Sequence, residues 1–97
     1  MQVHHLKQNG GATGAFVIHE EGEQVAELTY RRESNGDLAA THTFVEPRLR
    51  HRGVARQLVA AVVEEARRRG VQIVPVCPYV QRALEDDAAW HDVLSTS

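Results

Sequence analysis

Residues 47–59 read PRLRHRGVARQLV, and this stretch decides the fold because a strand pattern ends there and a helix pattern begins. Arg48, Arg50 and Arg52 concentrate positive charge just before Gly53 and the helix. The first N–H groups of a helix have no intrahelical acceptor, and the helix dipole favours an anion at that end. Glycine permits close approach of the backbone, so the stretch predicts a phosphate or pyrophosphate site. A solvated basic loop at a helix start is the alternative interpretation.

The residues after this turn have a helical period. From Val54 to Arg69 the apolar positions fall on one stripe, and Gly70 suits a left-handed helix end. The run Val71 to Val76 is nearly all apolar, as in a strand covered on both faces, and a helical stretch toward Leu94 follows it. A strand, a helix and a second strand predict a parallel pair with a crossover helix. The turn at 46–53 then lies at the C-terminal end of the first strand.

The first half of the chain has the pattern of strands joined by turns. Ala15 to His19 is a short apolar run, and Gln24 to Arg32 alternates apolar and polar residues, which predicts a hairpin. Asn35-Gly36 is the signal of a type I′ turn, and Leu38 to Val45 suits a half-buried strand. Val3 to Lys7 is predicted to add an edge strand.

Length and composition limit the class of protein. The 97 residues fit one small domain, and 11 Lys and Arg against 13 Asp and Glu give a net charge of -2. This balance gives no electrostatic case for nucleic acid or a membrane, so any cationic function must be local. The single cysteine excludes an intramolecular disulfide, and no apolar run resembles a secretory or spanning segment. These features predict a reducing, cytoplasmic setting.

The string Arg50-His51-Arg52-Gly53-Val54-Ala55 resembles the Arg/Gln-x-x-Gly-x-Gly/Ala signature of the GNAT superfamily of N-acetyltransferases. His42 to Pro47 and Val74 to Val80 extend the resemblance over most of the chain, to the minimal single-domain group of that superfamily. The resemblance implies an α+β fold over residues 1–97. Its sheet is mixed and mostly antiparallel, with a parallel strand pair joined by a crossover helix, and it is shorter than in ordinary members.

The resemblance also implies a site for acetyl-CoA as cosubstrate. In the superfamily the signature holds the pyrophosphate between a strand and a helix. Carried over by position, this assigns the pyrophosphate to the backbone N–H groups of four residues together with the Arg50 side chain: Arg52, Gly53, Val54 and Ala55. Phe44 and Val45 would offer main-chain hydrogen bonds to the pantetheine arm.

Cys77 and His42 are the candidate catalytic residues. On the residues alone, a lone cysteine after an apolar strand is most often a small buried hydrophobe, and a strand histidine is most often structural. The resemblance places both at the cleft, where either Cys77 would carry the acetyl group or the amine would attack acetyl-CoA directly. His42 would be the base in both routes. The chain departs from the family in its last helix, because Ala83 stands where the small group has an aromatic residue. Tyr79 would replace the family's acid only if its hydroxyl points into the cleft, and it is predicted instead to be a packing aromatic with its hydroxyl at the surface.

No metal is predicted, because the remaining histidines show no ligand spacing supported by acids or cysteines: His4, His5, His19, His51 and His91. The function that the resemblance implies is acetyl transfer from acetyl-CoA to an unidentified amine. A non-catalytic acyl-CoA-binding or interaction module is the alternative. A nucleic-acid module that uses the arginine clusters is disfavoured by the net charge of -2 and the few aromatic residues.

Overall fold

The computed structural model describes residues 2–96, so Met1 and Ser97 of the predicted 1–97 domain lie outside the described residues. The strands are β1 (Val3–Gln8), β2 (Thr13–Glu20), β3 (Glu23–Arg32), β4 (Leu38–Val45) and β5 (Ile73–Pro75). The α-helices are α1 (Val54–Arg69) and α2 (Pro78–Asp86). Short 3-10 helices lie at Asn9–Gly11, Pro47–Leu49 and Ala88–Val93.

The strands form one sheet in the order β1-β2-β3-β4-β5. The first four strands are antiparallel, whereas β5 runs parallel to β4 from Leu38↔Ile73 to Ala40↔Pro75. Helix α1 connects this parallel pair. The predicted α+β class, with a mixed and mostly antiparallel sheet and one parallel pair joined by a helix, is therefore confirmed.

The described helices lie against one face of the sheet. One hydrophobic cluster joins alternate strand residues such as Ile18 and Leu28 to Leu58 of α1 and Leu84 of α2. The strand residues between them point the other way. We call that side the open face; its residues include Leu6, Ala15, Val17, Glu27, Thr29, His42 and Phe44. Leu6 and Phe44 are exposed there, and the shortest dimension of the molecule, 19 Å, fits one sheet and one layer of helices.

A buried carboxylate ties the end of α1 to the sheet. Glu65 is only 4% exposed and accepts hydrogen bonds from Arg68 and Arg69. Arg69 also donates to the Tyr30 hydroxyl at 3.4 Å, and that hydroxyl lies 2.6 Å from His5 Nε2. Burial acts to raise the pKa of Glu65, but the hydrogen bonds and charges of the two arginines outweigh it and lower this pKa to about 2. The ionised Glu65 therefore stabilises the fold.

We expect Glu65→Gln to destabilise the protein at neutral pH and to matter much less in acid. The pKa of Glu65 is about 2 in the folded state and 4.5 ordinarily, so its stabilisation is complete above 4.5 and is lost as pH falls toward 2. A shift of this size corresponds to about 3 kcal/mol in the free energy of unfolding. Urea unfolding at pH 7 and pH 2.5 measures the loss of unfolding free energy in Glu65→Gln, and substitution of the exposed Glu64 by Gln is the matched control. An equal deficit at both pH values would contradict the expectation.

The Asn35-Gly36 prediction of a type I′ turn is wrong. A type I′ turn needs positive φ at both central residues, and Gly36 has φ 97° whereas Asn35 has no positive φ. Residues 33–37 form a longer connection because Asn35 Oδ1 accepts from the Asp37 N–H at 2.9 Å. Positive φ at two successive turn residues occurs instead between β2 and β3, at Glu21 (51°) and Gly22 (82°).

The end of the chain also differs from its prediction. The strand expected over 71–76 is reduced to Ile73–Pro75, and Val76 is 50% exposed rather than covered on both faces. The Val76 N–H donates to the Val74 carbonyl, and this tight turn ends the strand. The single helical stretch expected toward Leu94 divides into α2 and a 3-10 helix. Asp87 separates them, and its carboxylate accepts from the Ala89 N–H.

Candidate active site

A cleft opens where β4 and β5 part. The parallel ladder ends at Ala40, whose carbonyl accepts from the Cys77 N–H at 2.9 Å, and β4 continues to Val45 without β5 beside it. The cleft has a volume of about 420 Å³. It is lined by Thr43, Phe44, Val45, Leu49, Arg50, His51, Gly53, Val54, Ala55 and Tyr79.

The register of β4 decides which peptide groups face this cleft. The Glu46 N–H donates to the Val25 carbonyl across β3, and in an antiparallel pair such bonds recur at every second residue. Phe44, two residues earlier, is therefore bonded to its partner Glu27. The peptide groups of Thr43 and Val45 point into the cleft, as the bond from Arg50 Nε to the Val45 carbonyl shows. The peptide group of Phe44, which was expected to be available in the cleft, is therefore bonded to β3, whereas those of Thr43 and Val45 face the cleft. Phe44 is still among the residues that line the cleft.

The N-terminus of α1 opens into the same cleft without a cap. The first intrahelical bond runs from the Gln57 N–H to the Gly53 carbonyl, so the N–H groups of Val54, Ala55 and Arg56 have no partner within the helix. No side chain caps this end, and no acidic residue lies in the first turn. Gly53 has φ 78°, and a Cβ added there would enter open space. The first turn of α1 therefore presents unpaired N–H donors and a positive electrostatic potential to the cleft.

The three arginines of the turn have different environments. Arg48 forms ion pairs with Glu20 at 2.6 Å and Glu46 at 3.3 Å, which directs it away from the cleft. Arg50 lines the cleft and is held by its Nε bond to the Val45 carbonyl at 3.1 Å. Arg52 is exposed and does not line the cleft. Of the predicted cationic side chains, the structure brings only Arg50 to the cleft.

The structure does not bring Cys77 and His42 together. Cys77 is 7% exposed, belongs to the hydrophobic core and donates from Sγ to Thr43 Oγ1 at 3.4 Å. Thr43 therefore points toward the helices, and its neighbour His42 points to the open face. Direct proton transfer between the two candidates would have to cross the sheet. Cys77 lies behind Thr43 and is not among the residues that line the cleft.

Tyr79 and Thr43 both line the cleft, a position that the sequence did not predict for Thr43 and gave only as the alternative for Tyr79. Tyr79 lies in the first turn of α2, lines the cleft and is 43% exposed, so it is not a packing aromatic. Ala83, where an aromatic residue was expected, packs against the core one turn further along. Thr43 lies on the predicted strand, and only its register identifies it as a cleft residue.

Two further observations concern the class of protein. Within residues 2–96, no group of three His, Cys, Asp or Glu side chains is placed to hold a metal ion. Of the helices described, none combines the length and apolarity needed to cross a bilayer.

Comparison with known proteins gives the family. Residues 15–93 match the family model described as GCN5-related N-acetyl-transferase. Because this match takes in most of the chain, the protein belongs to the GCN5-related N-acetyltransferase family, abbreviated GNAT. The resemblance drawn from the sequence is therefore confirmed.

Solved structures agree on the fold. A GCN5-like protein from Staphylococcus aureus, solved by NMR, has a TM-score of 0.75 at 30% identity, over 97% of this chain and 87% of that chain. The aminoglycoside N-acetyltransferase AAC(6')-Iy in complex with CoA has a TM-score of 0.59 at 22% identity, over 77% of this chain and 66% of its own. The ribosomal-protein-S18-alanine N-acetyltransferase from Escherichia coli has a TM-score of 0.63 at 17% identity, with coverages of 80% and 53%.

The last two similarities show the fold alone, because their identities are low. This chain spans about half to two thirds of those two proteins. Among curated proteins, no sequence matches the chain.

Proposed function

We propose that this protein is an acetyl-CoA-dependent N-acetyltransferase that moves an acetyl group to an amine. The observation that carries the proposal is the uncapped N-terminus of α1, which opens into the cleft between the parting strands. Bare N–H groups, a glycine with φ 78° and the nearby Arg50 together suit a pyrophosphate. The family membership and the CoA complex of AAC(6')-Iy support the same cosubstrate.

Each part of acetyl-CoA has a proposed partner. The pyrophosphate accepts hydrogen bonds from the backbone N–H groups at the start of α1 and from the free end of the Arg50 guanidinium. The pantetheine amides pair with the peptide groups of Thr43 and Val45, as an added strand would. These contacts fix the thioester near Tyr79 and hold it for attack by the amine. The reaction of two bound and oriented groups then replaces their chance collision in solution.

We propose direct transfer, because Cys77 lies behind Thr43 and an acetyl-CoA in the cleft would not contact its sulfur. The neutral amine attacks the thioester carbonyl, the C–N bond forms, and the C–S bond breaks as the tetrahedral intermediate collapses. Tyr79 gives its proton to the departing thiolate, and the proton released from nitrogen passes through His42 or water to solvent. The second route, through an acetyl-Cys77 intermediate, is supported only by the 3.4 Å contact between Cys77 and the cleft residue Thr43.

Thermal unfolding with added acetyl-CoA, CoA and dephospho-CoA tests the binding half of the proposal. A ligand that binds only the folded state raises its stability. We expect all three to raise Tm, because all carry the pyrophosphate and the pantetheine arm. A Tm unchanged by each of them at millimolar concentration would contradict the proposal. A rise with acetyl-CoA, without release of CoA thiol over a panel of amines, would favour the non-catalytic binding module instead.

A further inference from the structure

Glu27 is a carboxylate that nothing in the described chain neutralises. It lies in the middle of β3, on the open face, and is partly buried. Over residues 2–96 its side chain has no hydrogen bond and no ion pair. Arg31, the cation two positions beyond Thr29 on the same strand and face, is paired with Glu33 at 3.5 Å. Its carboxylate is partly withdrawn from water without a paired cation, so it is available to a cationic ligand.

Glu27 lies next to a residue of the cleft. Its cross-strand partner is Phe44, which is among the residues that line the cleft and whose side chain is exposed on the open face. His42 pairs with Thr29 on the same face and is therefore the diagonal neighbour of Glu27, within reach of a long side chain. Thr29 and Thr41 hydroxyls bond each other at 2.7 Å and do not compete for Glu27. A carboxylate, an imidazole and an aromatic ring thus lie together on the open face, and the ring belongs to the cleft residue Phe44.

We propose that Glu27 binds the ammonium group of the acceptor, a protonated primary alkylamine, on the open face of the sheet. This inference rests on the proposed function and adds the acceptor side of the same site. The carboxylate pairs with R–NH₃⁺, and the Phe44 ring covers the adjoining methylene groups. Glu27 makes this subsite selective for cations, because a neutral alcohol or an acid of the same shape gains no ion pair from the carboxylate.

The proton count of the transfer is complete with these groups. R–NH₃⁺ gives one proton to a ring nitrogen of His42, which passes it to solvent, and the resulting R–NH₂ attacks the thioester carbonyl. When the C–S bond breaks, the CoA thiolate takes a proton from Tyr79. The nitrogen loses its second proton to water, and Tyr79 regains one from water. One proton in total passes to solvent for each acetyl group transferred, and His42 and Tyr79 return to their starting states.

NMR titration of the ¹⁵N-labelled protein with butylamine hydrochloride tests the proposal, with butanol as the neutral probe of similar shape. We expect butylammonium to shift the amides around Glu27, His42 and Phe44, and butanol to leave them in place. Glu27→Gln should weaken this binding about tenfold, which is the loss of one charge-assisted contact. Glu23→Gln, at the exposed start of the same strand, is the matched control and should bind like the unchanged protein.

The titration is run with and without CoA, so failure of the proposed function is seen separately as an absence of CoA-induced shifts. The proposal would be overturned, with or without CoA, if butylammonium caused no amide shifts or caused them only far from Glu27. The same shifts in Glu27→Gln as in the unchanged protein would also overturn it. Two further probes distinguish the source of the amine: alanyl-alanine methylamide presents an α-amine, and N-acetyl-lysine methylamide presents a side-chain amine. Either one binding more tightly than butylamine, with the same dependence on Glu27, supports the site and names the source.

Discussion

Replacing Gly53 by valine is expected to weaken CoA binding at least ~100-fold, a loss of about 2.7 kcal/mol in binding free energy. Gly53 has φ 78°, which a β-branched residue rarely adopts, and its missing Cβ leaves open space at the start of α1. The valine side chain would occupy the space where the pyrophosphate approaches the backbone. Isothermal titration calorimetry with CoA measures the affinity.

Gly70→Val is the matched control for the backbone strain of this substitution. Gly70 ends α1 with φ 70°, and a Cβ there also enters open space. Both variants should lose similar amounts of folding stability, and only the Gly53 variant should lose affinity. Equal CoA affinity in the two folded variants would remove the pyrophosphate assignment.

Replacing Tyr79 by phenylalanine is expected to lower kcat about 100-fold, within the range for loss of a general acid, with unchanged CoA affinity. The ring remains in the first turn of α2 and continues to line the cleft, so only the proton donor is removed. Release of CoA thiol with a saturating amine measures kcat, and calorimetry measures CoA binding. The loss of kcat in Tyr79→Phe should be smaller for a thioester analogue whose leaving thiol is more acidic than the thiol of CoA, because that thiolate needs less help from an acid.

Cys77→Ala separates the two routes of transfer. In the direct route this variant keeps most of its kcat, because the sulfur lies behind Thr43 in the core. Intact-mass analysis after incubation with acetyl-CoA alone should then show no acetyl adduct. An inactive Cys77→Ala variant together with an adduct on Cys77 in the unchanged protein would establish the covalent route.

For the Tyr79→Phe prediction, full activity of that variant would exclude Tyr79 as the acid.

Elements with a strong period could be predicted from the sequence. Helix α1 begins at Val54 and ends at Arg69 as expected, because its apolar stripe is continuous and glycines with positive φ stand at both ends. Strand β4 also has its expected bounds, Leu38–Val45. The edge strand β1 extends one residue beyond the prediction, to Gln8. In each of these segments the local pattern and the tertiary packing favour the same structure.

Segments that depend on tertiary hydrogen bonds could not be predicted. An apolar run alone does not reveal that the Val76 N–H turns back to the Val74 carbonyl and ends β5 after three residues. The Asn35-Gly36 pair looks like a hairpin turn, but the Asn35 side chain caps the Asp37 N–H instead. Side-chain to backbone bonds of this kind compete with regular turns.

A bulge accounts for the shift of the cleft peptide groups from Phe44 to Thr43. At the start of β4 the even-numbered residues face β5, as the Leu38 N–H and the Ala40 carbonyl show. The pairing of β3 and β4 is interrupted between Thr29 and Tyr30, which places one extra residue, Thr41, in β4. Beyond the bulge the odd-numbered residues face the cleft, and His42 is turned to the open face. No sequence pattern marks this change of register.

The most direct test of the pyrophosphate cradle is an NMR titration of the ¹⁵N-labelled protein with acetyl-CoA. Backbone amides that donate to a phosphate shift strongly downfield, so the largest changes should fall on Val54, Ala55 and Arg56, followed by Thr43 and Val45. Salt should weaken the binding, because the contact is between charges. Large shifts confined to residues 33–37 at the other end of β4, or no shifts at millimolar acetyl-CoA, would contradict the assignment.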